Sequence, residues 1–277
     1  MDLAPHNPYG LAIKHPVLTA AGCFGYGVEY AHTVALAQIG AIVTRSTSLR
    51  PIRTSQRPRI IETPAGILSV GQWPNPGLNY VLNHYAPTWA TWSTPVILSI
   101  VGDSPDDYAT IARALEGVEG IAALELNVAT VAARAKSVTK AVRAATQLPL
   151  LIKLPLLDET TFDQYVEEII DAGADVLTLL SPPHGLHIDP HSGEQIEGWL
   201  SGPTIRSVTL RAVARTAPRV SIPIVGCGGV MSAEDAQQFF AAGAKVVQVG
   251  TALLTDAFAV TRITHDLAML EESNRAE

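Results

Sequence analysis

Short apolar runs recur along the chain, each ending in small or polar residues and each followed by a stretch of helical periodicity. Eight such runs, at 16–20, 41–46, 95–102, 121–127, 148–154, 174–181, 222–228 and 244–251, predict strands. Most are continuous rather than alternating, the pattern of parallel strands buried on both faces. Segments 28–38, 105–115, 131–146, 158–172, 204–216, 232–242 and 256–271 predict the intervening helices. Ser104-Pro105, Asp158 and Ser232 stand where a helix start needs acceptors for its free N–H groups. Ala172-Gly173-Ala174 and Ala242-Gly243-Ala244 put glycine where a helix stops and the next strand begins.

Eight strands alternating with helices predict an α/β fold, a single-domain (β/α)8 TIM barrel over 1–277. Two connections are long, 47–90 and 182–203, and are expected to form cover loops on one face. A doubly wound open sheet is the rival, because periodicity does not fix strand order. Its dinucleotide-binding version lacks the G-x-G-x-x-G fingerprint after a first strand.

Composition narrows the function classes. The 277 residues are 47% hydrophobic and 16% charged, enough apolar material for a folded core. A formal charge of −7 argues against nucleic acid and anionic membrane surfaces as partners. The apolar run 148–157 is too short to span a bilayer, and the first residues lack the basic and apolar regions of a secretory signal, so a cytoplasmic protein is expected. Cys23 and Cys227 cannot make a disulfide framework and read as small reduced thiols. His184, His187 and His191 have a spacing that a metal could use, but they lie in a Pro- and Gly-rich connection without a cysteine partner, and no metal is expected.

A barrel places its chemistry at the C-terminal ends of its strands, and its commonest phosphate site uses the loops after strands seven and eight. Here those strands end Gly226-Cys227-Gly228-Gly229 and Val249-Gly250-Thr251. Glycine lets backbone approach an anion closely, although it also serves simple tight turns. Arg45, Ser99, Asn127, Lys153 and Ser181 add polar groups at or near other strand ends. Lys153 lies within an apolar run, where a buried ammonium needs either an ion pair, Glu125 being the candidate, or an electron-rich ligand; the ligand reading is favoured. A phosphate site with lysine and amide donors across the mouth suits a cofactor such as flavin mononucleotide (FMN).

Several stretches, in order, carry a family resemblance: 16–27 (PVLTAAGCFGYG), Arg59 through Glu62-Thr63-Pro64-Ala65-Gly66, Asn75-Pro76-Gly77, Leu200-Ser201-Gly202-Pro203 and Gly226-Cys227-Gly228-Gly229-Val230. Together they resemble the class 1 dihydroorotate dehydrogenases, most of all the catalytic subunit of the NAD-linked, two-subunit branch. The resemblance implies an FMN-binding barrel that takes a hydride from dihydroorotate in pyrimidine biosynthesis. It implies a flavin site of Ala21, Gly22, Arg45, Ser46, Ser99, Asn127, Lys153, Leu180, Gly202, Gly228, Gly229, Gly250 and Thr251. Substrate contacts would fall on Arg45, Ser69, Asn127 and Ser181. A homodimer, and a second subunit carrying an iron–sulfur centre and FAD, are implied as partners.

The substrate half departs from the family pattern. Where the family has a cysteine as base, this chain has Thr130, within Leu126-Asn127-Val128-Ala129-Thr130-Val131-Ala132. A threonine hydroxyl is a poor base without a neighbour to take its proton. Ser69, Ala132 and Ser181 stand where the family has asparagines, and Arg45 replaces a lysine. Oxidation of dihydroorotate to orotate is therefore the nearest expectation. Beside it stand a paralogous flavoenzyme for another small carboxylate-bearing cyclic substrate, and a flavin-binding partner subunit without dehydrogenase activity.

Overall fold

The hydrogen bonds of the parallel strands decide between barrel and open sheet. The computed structural model describes residues 1–54, 59–71 and 73–276. In chain order its strands are β1 (Val17–Thr19), β2 (Ile42–Val43), β3 (Ile60–Thr63), β4 (Gly66–Ser69), β5 (Val96–Ile100) and β6 (Ala123–Asn127). They continue with β7 (Leu150–Leu154), β8 (Val176–Leu179), β9 (His184–Ile188), β10 (Gln195–Ser201), β11 (Ile224–Cys227) and β12 (Val246–Val249). One sheet runs β1-β12-β11-β8-β7-β6-β5-β2, with parallel pairing between neighbours. Its two ends meet: Gly40 N–H donates to the Val17 carbonyl at 2.9 Å, Thr19 N–H to Ala41 at 3.2 Å, and Val43 N–H to Thr19 Oγ1 at 2.8 Å. The sheet thus closes on itself with each strand beside its chain neighbours, which is the (β/α)8 barrel and not the doubly wound rival.

Each of the eight predicted runs contains one barrel strand. The helices follow where the cap chemistry placed them. α3 (Pro105–Leu115) starts on a reciprocal Ser104–Asp107 capping box and α7 (Ala233–Ala241) on Ser232, whose hydroxyl accepts from Asp235 N–H. α4 (Ala135–Ala145), α5 (Glu159–Asp171), α6 (Arg206–Thr216) and α8 (Ala259–Ala276) complete the outer layer. Among the described residues, no helix is long and apolar enough to cross a membrane.

Three expectations need correction. The predicted helix 28–38 is instead a series of turns with one 3-10 turn, Leu36–Gln38. Gly25 and Gly27 hold positive φ just before it, the Glu29 carboxylate is drawn back to Tyr26 N–H at 2.9 Å, and Tyr30 stacks on Phe24 at 4.4 Å. These contacts bury the aromatic rings without a helical stripe. The predicted helix 131–146 begins as a 3-10 turn, Ala129–Arg134, and becomes α-helical only at Ala135. The cover connections are not simple loops. Segment 47–90 carries the β3–β4 hairpin, α1 (Leu78–Tyr80), a π-turn and α2 (Ala86–Trp89), while 182–203 carries the β9–β10 hairpin. The two hairpins join as one antiparallel sheet, β3-β4-β10-β9.

Alternation along the barrel strands sets up the interior. Leu18, Val43, Ile97, Ala123, Leu151, Val176, Val225 and Val246 form one buried apolar cluster, plugged from below by Leu3, Leu11 and Ile13. The N-terminal segment is held there by Leu3 N–H to Leu11 O at 2.8 Å and by Asp2, which accepts from Leu11 N–H at 2.7 Å. Successive side chains on a strand point to opposite faces, so the next inward residue on each strand lies two positions on. Those residues are Ala20, Arg45, Ser99, Glu125, Lys153, Thr178, Cys227 and Gln248. A dry floor therefore carries a largely polar layer above it.

The seam between β1 and β2 contains a close backbone approach. A Cβ on Gly40 would lie 2.0 Å from the His15 carbonyl oxygen, which is backbone and cannot swing away. Gly40→Ala is expected to destabilise the fold by about 1–3 kcal/mol, the usual penalty of overpacking, read as a lowered urea midpoint at unchanged slope.

Candidate active site

Four polar side chains of the layer meet across the barrel axis. Lys153 Nζ donates to Gln248 Oε1 at 3.0 Å and stands 3.8 Å from Glu125 Oε1. Gln248 Nε2 donates to Glu125 Oε2 at 2.6 Å, and Thr178 Oγ1 to the same oxygen at 3.4 Å. β6 and β12 are not neighbours in the sheet, so the Glu125–Gln248 bond passes through the interior. Lys153 and Glu125 are 4% and 0% exposed, so each needs the other for charge balance. Burial favours a neutral amine, yet the adjacent Cys227 and Glu125 outweigh it and hold the Lys153 ammonium above the ordinary lysine range. Burial pushes the Cys227 thiol up against the pull of Lys153, and raises Cys23 to about 11. Sequence offered Glu125 as the bland partner of Lys153; the structure makes that pair, with Gln248 as a bridge that sequence reasoning missed. The signal was there: Gln248 is the polar residue of the run Val246–Val249, two positions before Gly250.

Around this centre the strand ends supply further polar groups. Ser46 Oγ and Ser99 Oγ share a hydrogen bond of 2.8 Å, and Ser99 N–H donates to Thr44 Oγ1 at 3.2 Å. Arg45 lies over the Trp73 ring at 5.7 Å and its Nη1 donates to the Pro74 carbonyl at 3.3 Å, while its Nε is buried without a hydrogen bond. Asn127 closes β6, where its carbonyl accepts from the Tyr108 hydroxyl and its Oδ1 accepts from Ala129 N–H at 3.4 Å. Leu180 is buried, its N–H on the Cys227 carbonyl at 2.9 Å. Ser181 is 2% exposed and its Oγ has no hydrogen bond, an orphan donor beside the strand end. Ala21 and Gly22 form the turn after β1; at Gly22, φ +97°, a Cβ would meet nothing within 4 Å, so open space lies there.

The glycines gather on the other side of the rim. Gly202, Gly228 and Gly229 have φ of +95°, +137° and +78°, a region that side-chain-bearing residues avoid. A Cβ on Gly229 would lie 3.0 Å from the Gly202 carbonyl, and one on Gly202 would lie 3.4 Å from Thr251 Cγ2. A Cβ on Gly250 would lie 3.2 Å from Ala20 Cβ, on the turn from β1. Three connections, after β10, β11 and β12, therefore approach one another closely; a Cβ on Gly228 would also meet Thr209 Oγ1 at 2.6 Å and one on Gly229 would meet Arg206 Cβ at 2.6 Å, and Thr251 Oγ1 donates to Ser201 Oγ at 3.0 Å. An ion pair of Arg206 with Asp235, and Met231 N–H on Asp235 at 2.9 Å, tie this turn to the starts of α6 and α7. A backbone-lined cradle of this kind, beside a buried ammonium, fits a phosphorylated planar cofactor.

Other expected residues are not gathered in. Ser69 lies in the antiparallel cover sheet opposite Trp199, and among the described residues no side-chain hydrogen bond joins it to the rim. Thr130 lies in the 3-10 turn after β6 and is exposed, with no hydrogen-bond partner among the described residues. Its hydroxyl therefore has no group to pass a proton to. His184 and His187 are three apart on β9 and so face opposite sides; the His184 ring lies against Trp199, centroids 3.8 Å apart and tilted by 45°. At the other end of the barrel an apolar hollow of about 360 Å³ lies under Tyr9, Leu11 and Leu148 and offers no convergent polar groups.

The family model described as dihydroorotate dehydrogenase matches residues 5–270. The chain is 39% identical over 275 residues to the "Dihydroorotate dehydrogenase B (NAD(+)), catalytic subunit" of Desulforudis audaxviator, covering 93% of this chain and 89% of the relative. The proteins of the same name from Desulforamulus reducens and Pelobacter propionicus are 38% and 39% identical, covering 91% and 89% of this chain and 88% and 86% of theirs. With the barrel, the polar layer and the glycine rim in place, the chain belongs to the dihydroorotate dehydrogenase family.

Proposed function

We propose that this chain is an FMN-dependent dehydrogenase whose nearest reaction is dihydroorotate to orotate, a step of pyrimidine biosynthesis. The observation that carries the reading is the meeting of Gly202, Gly229 and Thr251 beside a barrel layer that holds the Lys153 ammonium. Gly202, Gly228, Gly229, Gly250 and Thr251 would hold the phosphate through backbone, while Ala21, Gly22, Ser46, Ser99, Asn127 and Leu180 would border the ring. When bound, the flavin supplies an acceptor for hydride. Lys153 then offsets the negative charge that reduction places on the ring, and it does so in a site from which water is largely excluded.

Substrate binding rests on Arg45, Asn127 and Ser181. The Arg45 guanidinium, fixed over Trp73, suits a carboxylate, and the orphan Ser181 Oγ supplies a donor or acceptor to a ring amide. Relatives bear the name of a catalytic subunit of an NAD(+)-designated dihydroorotate dehydrogenase B. By that likeness the chain would form a homodimer and pass electrons to an FAD and iron–sulfur subunit, because its two cysteines could not themselves hold a cluster.

One observation favours a second reading. Thr130 occupies the base position yet is exposed and without a hydrogen-bonded neighbour, which suits a paralogous enzyme for a different small carboxylate-bearing cyclic substrate.

Purified protein is expected to be yellow and to bleach when dihydroorotate is added without oxygen, followed by the fall of the flavin absorption band. Retained colour without bleaching would transfer the protein to the second reading. Gly229→Asp, which sets a carboxylate in the cradle, is expected to weaken FMN binding about 10-fold or more, ~1.4 kcal/mol, measured by fluorescence titration of apoprotein. Thr130→Val should leave the unfolding free energy in urea within about 0.5 kcal/mol of the parent, whereas Thr130→Cys should speed bleaching by about 10-fold or more on the dihydroorotate reading.

A further inference from the structure

Glu125 is a fully buried carboxylate one layer above an all-apolar floor. Barrel layers are ordinarily filled by branched apolar side chains, so an ion pair at this depth adds nothing to packing that Leu or Met would not. Its arrangement is directional. The Gln248 amide donates from Nε2 to Glu125 Oε2 and accepts on Oε1 from Lys153 Nζ, so a single side chain grips both charges. Glu125 Oε1 accepts no hydrogen bond, and Lys153 Nζ stands off it at 3.8 Å instead of closing to direct contact. The ammonium is thus kept near its counter-charge and yet withheld from direct contact with it.

We propose that Glu125 and Gln248 are positioning residues for Lys153: Glu125 keeps the ammonium protonated inside the barrel, and Gln248 holds it up toward the flavin ring. The proposal rests on the flavin reading. Its consequence is that positive charge stands ready before reduction, and no proton moves on or off Lys153 when electrons arrive. The groups facing Lys153 are Glu125 from β6, Gln248 from β12, Cys227 from β11 and Cys23 beyond β1. Both thiols are pushed up by burial, and Glu125 is the carboxylate among the facing groups. Without it, no carboxylate among the facing groups offsets the burial of the ammonium, and Lys153 is expected to give up its proton more readily.

The test is the reduction potential of the flavin bound to the holoenzyme, followed against pH in the parent, Glu125→Gln and Gln248→Met. In the parent the pH slope should reflect proton uptake by the flavin alone. Glu125→Gln should show a steeper slope, because Lys153 is neutral beside the oxidised ring and takes up a further proton on reduction. Gln248→Met should keep the parental slope but lower the potential at every pH, because the freed ammonium retracts onto Glu125. A Glu125→Gln slope identical to the parent's, or a Gln248→Met potential that does not fall, overturns the proposal.

A second readout needs no flavin, so failure of the flavin reading stays distinguishable. In Glu125→Gln the folded-state Lys153 is expected to fall below its ordinary value of about 10.4, so that the unfolded chain binds a proton that the folded chain does not. Stability relative to the parent should therefore fall as pH drops from about 10 to about 7, and a gap in urea midpoint that stays constant contradicts the charge clamp. Should Glu125→Gln not fold at any pH, Glu125→Gln/Lys153→Met removes both charges and should fold; a double variant that also fails contradicts the clamp.

Discussion

A closed parallel barrel forces every strand to present alternate residues to one shared interior, and the rest of the structure depends on that constraint. Leu151 points into the floor, so Lys153 must point into the layer above; Ala123 fixes Glu125 in the same way, and Val246 fixes Gln248. The register between strands then decides who meets whom. Slipping one strand by a single residue would send its polar member into the helix layer and leave the opposing charge without a partner. Closure at the Gly40 seam and polarity at the strand ends are therefore one requirement seen at two places.

The same geometry separates the labours of the rim. One side is rich in backbone: glycines at positive φ, packed against the start of α6 and tied to it by the Arg206–Asp235 pair. The other side is side chain, from Arg45 over Trp73 to Ser46, Ser99 and Asn127. Between them lies a buried cation with a buried counter-charge. A cation in this low-dielectric layer acts far more strongly on a developing negative charge than it would in water, provided that it stays ionised. The Glu125 carboxylate meets that condition and Gln248 sets the direction.

Much of this was legible in the sequence because it follows from local pattern. The eight apolar runs, the Ser104 and Ser232 caps and the paired glycine turns each report a short-range preference. The polar ends Arg45, Ser99, Asn127 and Lys153 stand out against apolar neighbours. What was not legible depends on contacts between distant segments. The stretch 28–38 has the composition of a helix, but Glu29 and Tyr30 find better partners in Tyr26 and Phe24. The hairpins β3–β4 and β9–β10 hide in Pro- and Gly-rich connections and become a sheet only by pairing with each other across more than a hundred residues of chain. Gln248 was passed over because its role exists only once β6 and β12 face each other through the barrel.

The central claim is that backbone at the glycine rim anchors a phosphate and thereby holds a flavin ring above the Lys153 layer. Titration calorimetry of apoprotein with FMN and with riboflavin, which differ by that phosphate alone, tests it most directly. The account predicts that FMN binds at least about 100-fold tighter, close to 2.7 kcal/mol. Equal affinity for the two would contradict it, since the ring would then be held without the cradle.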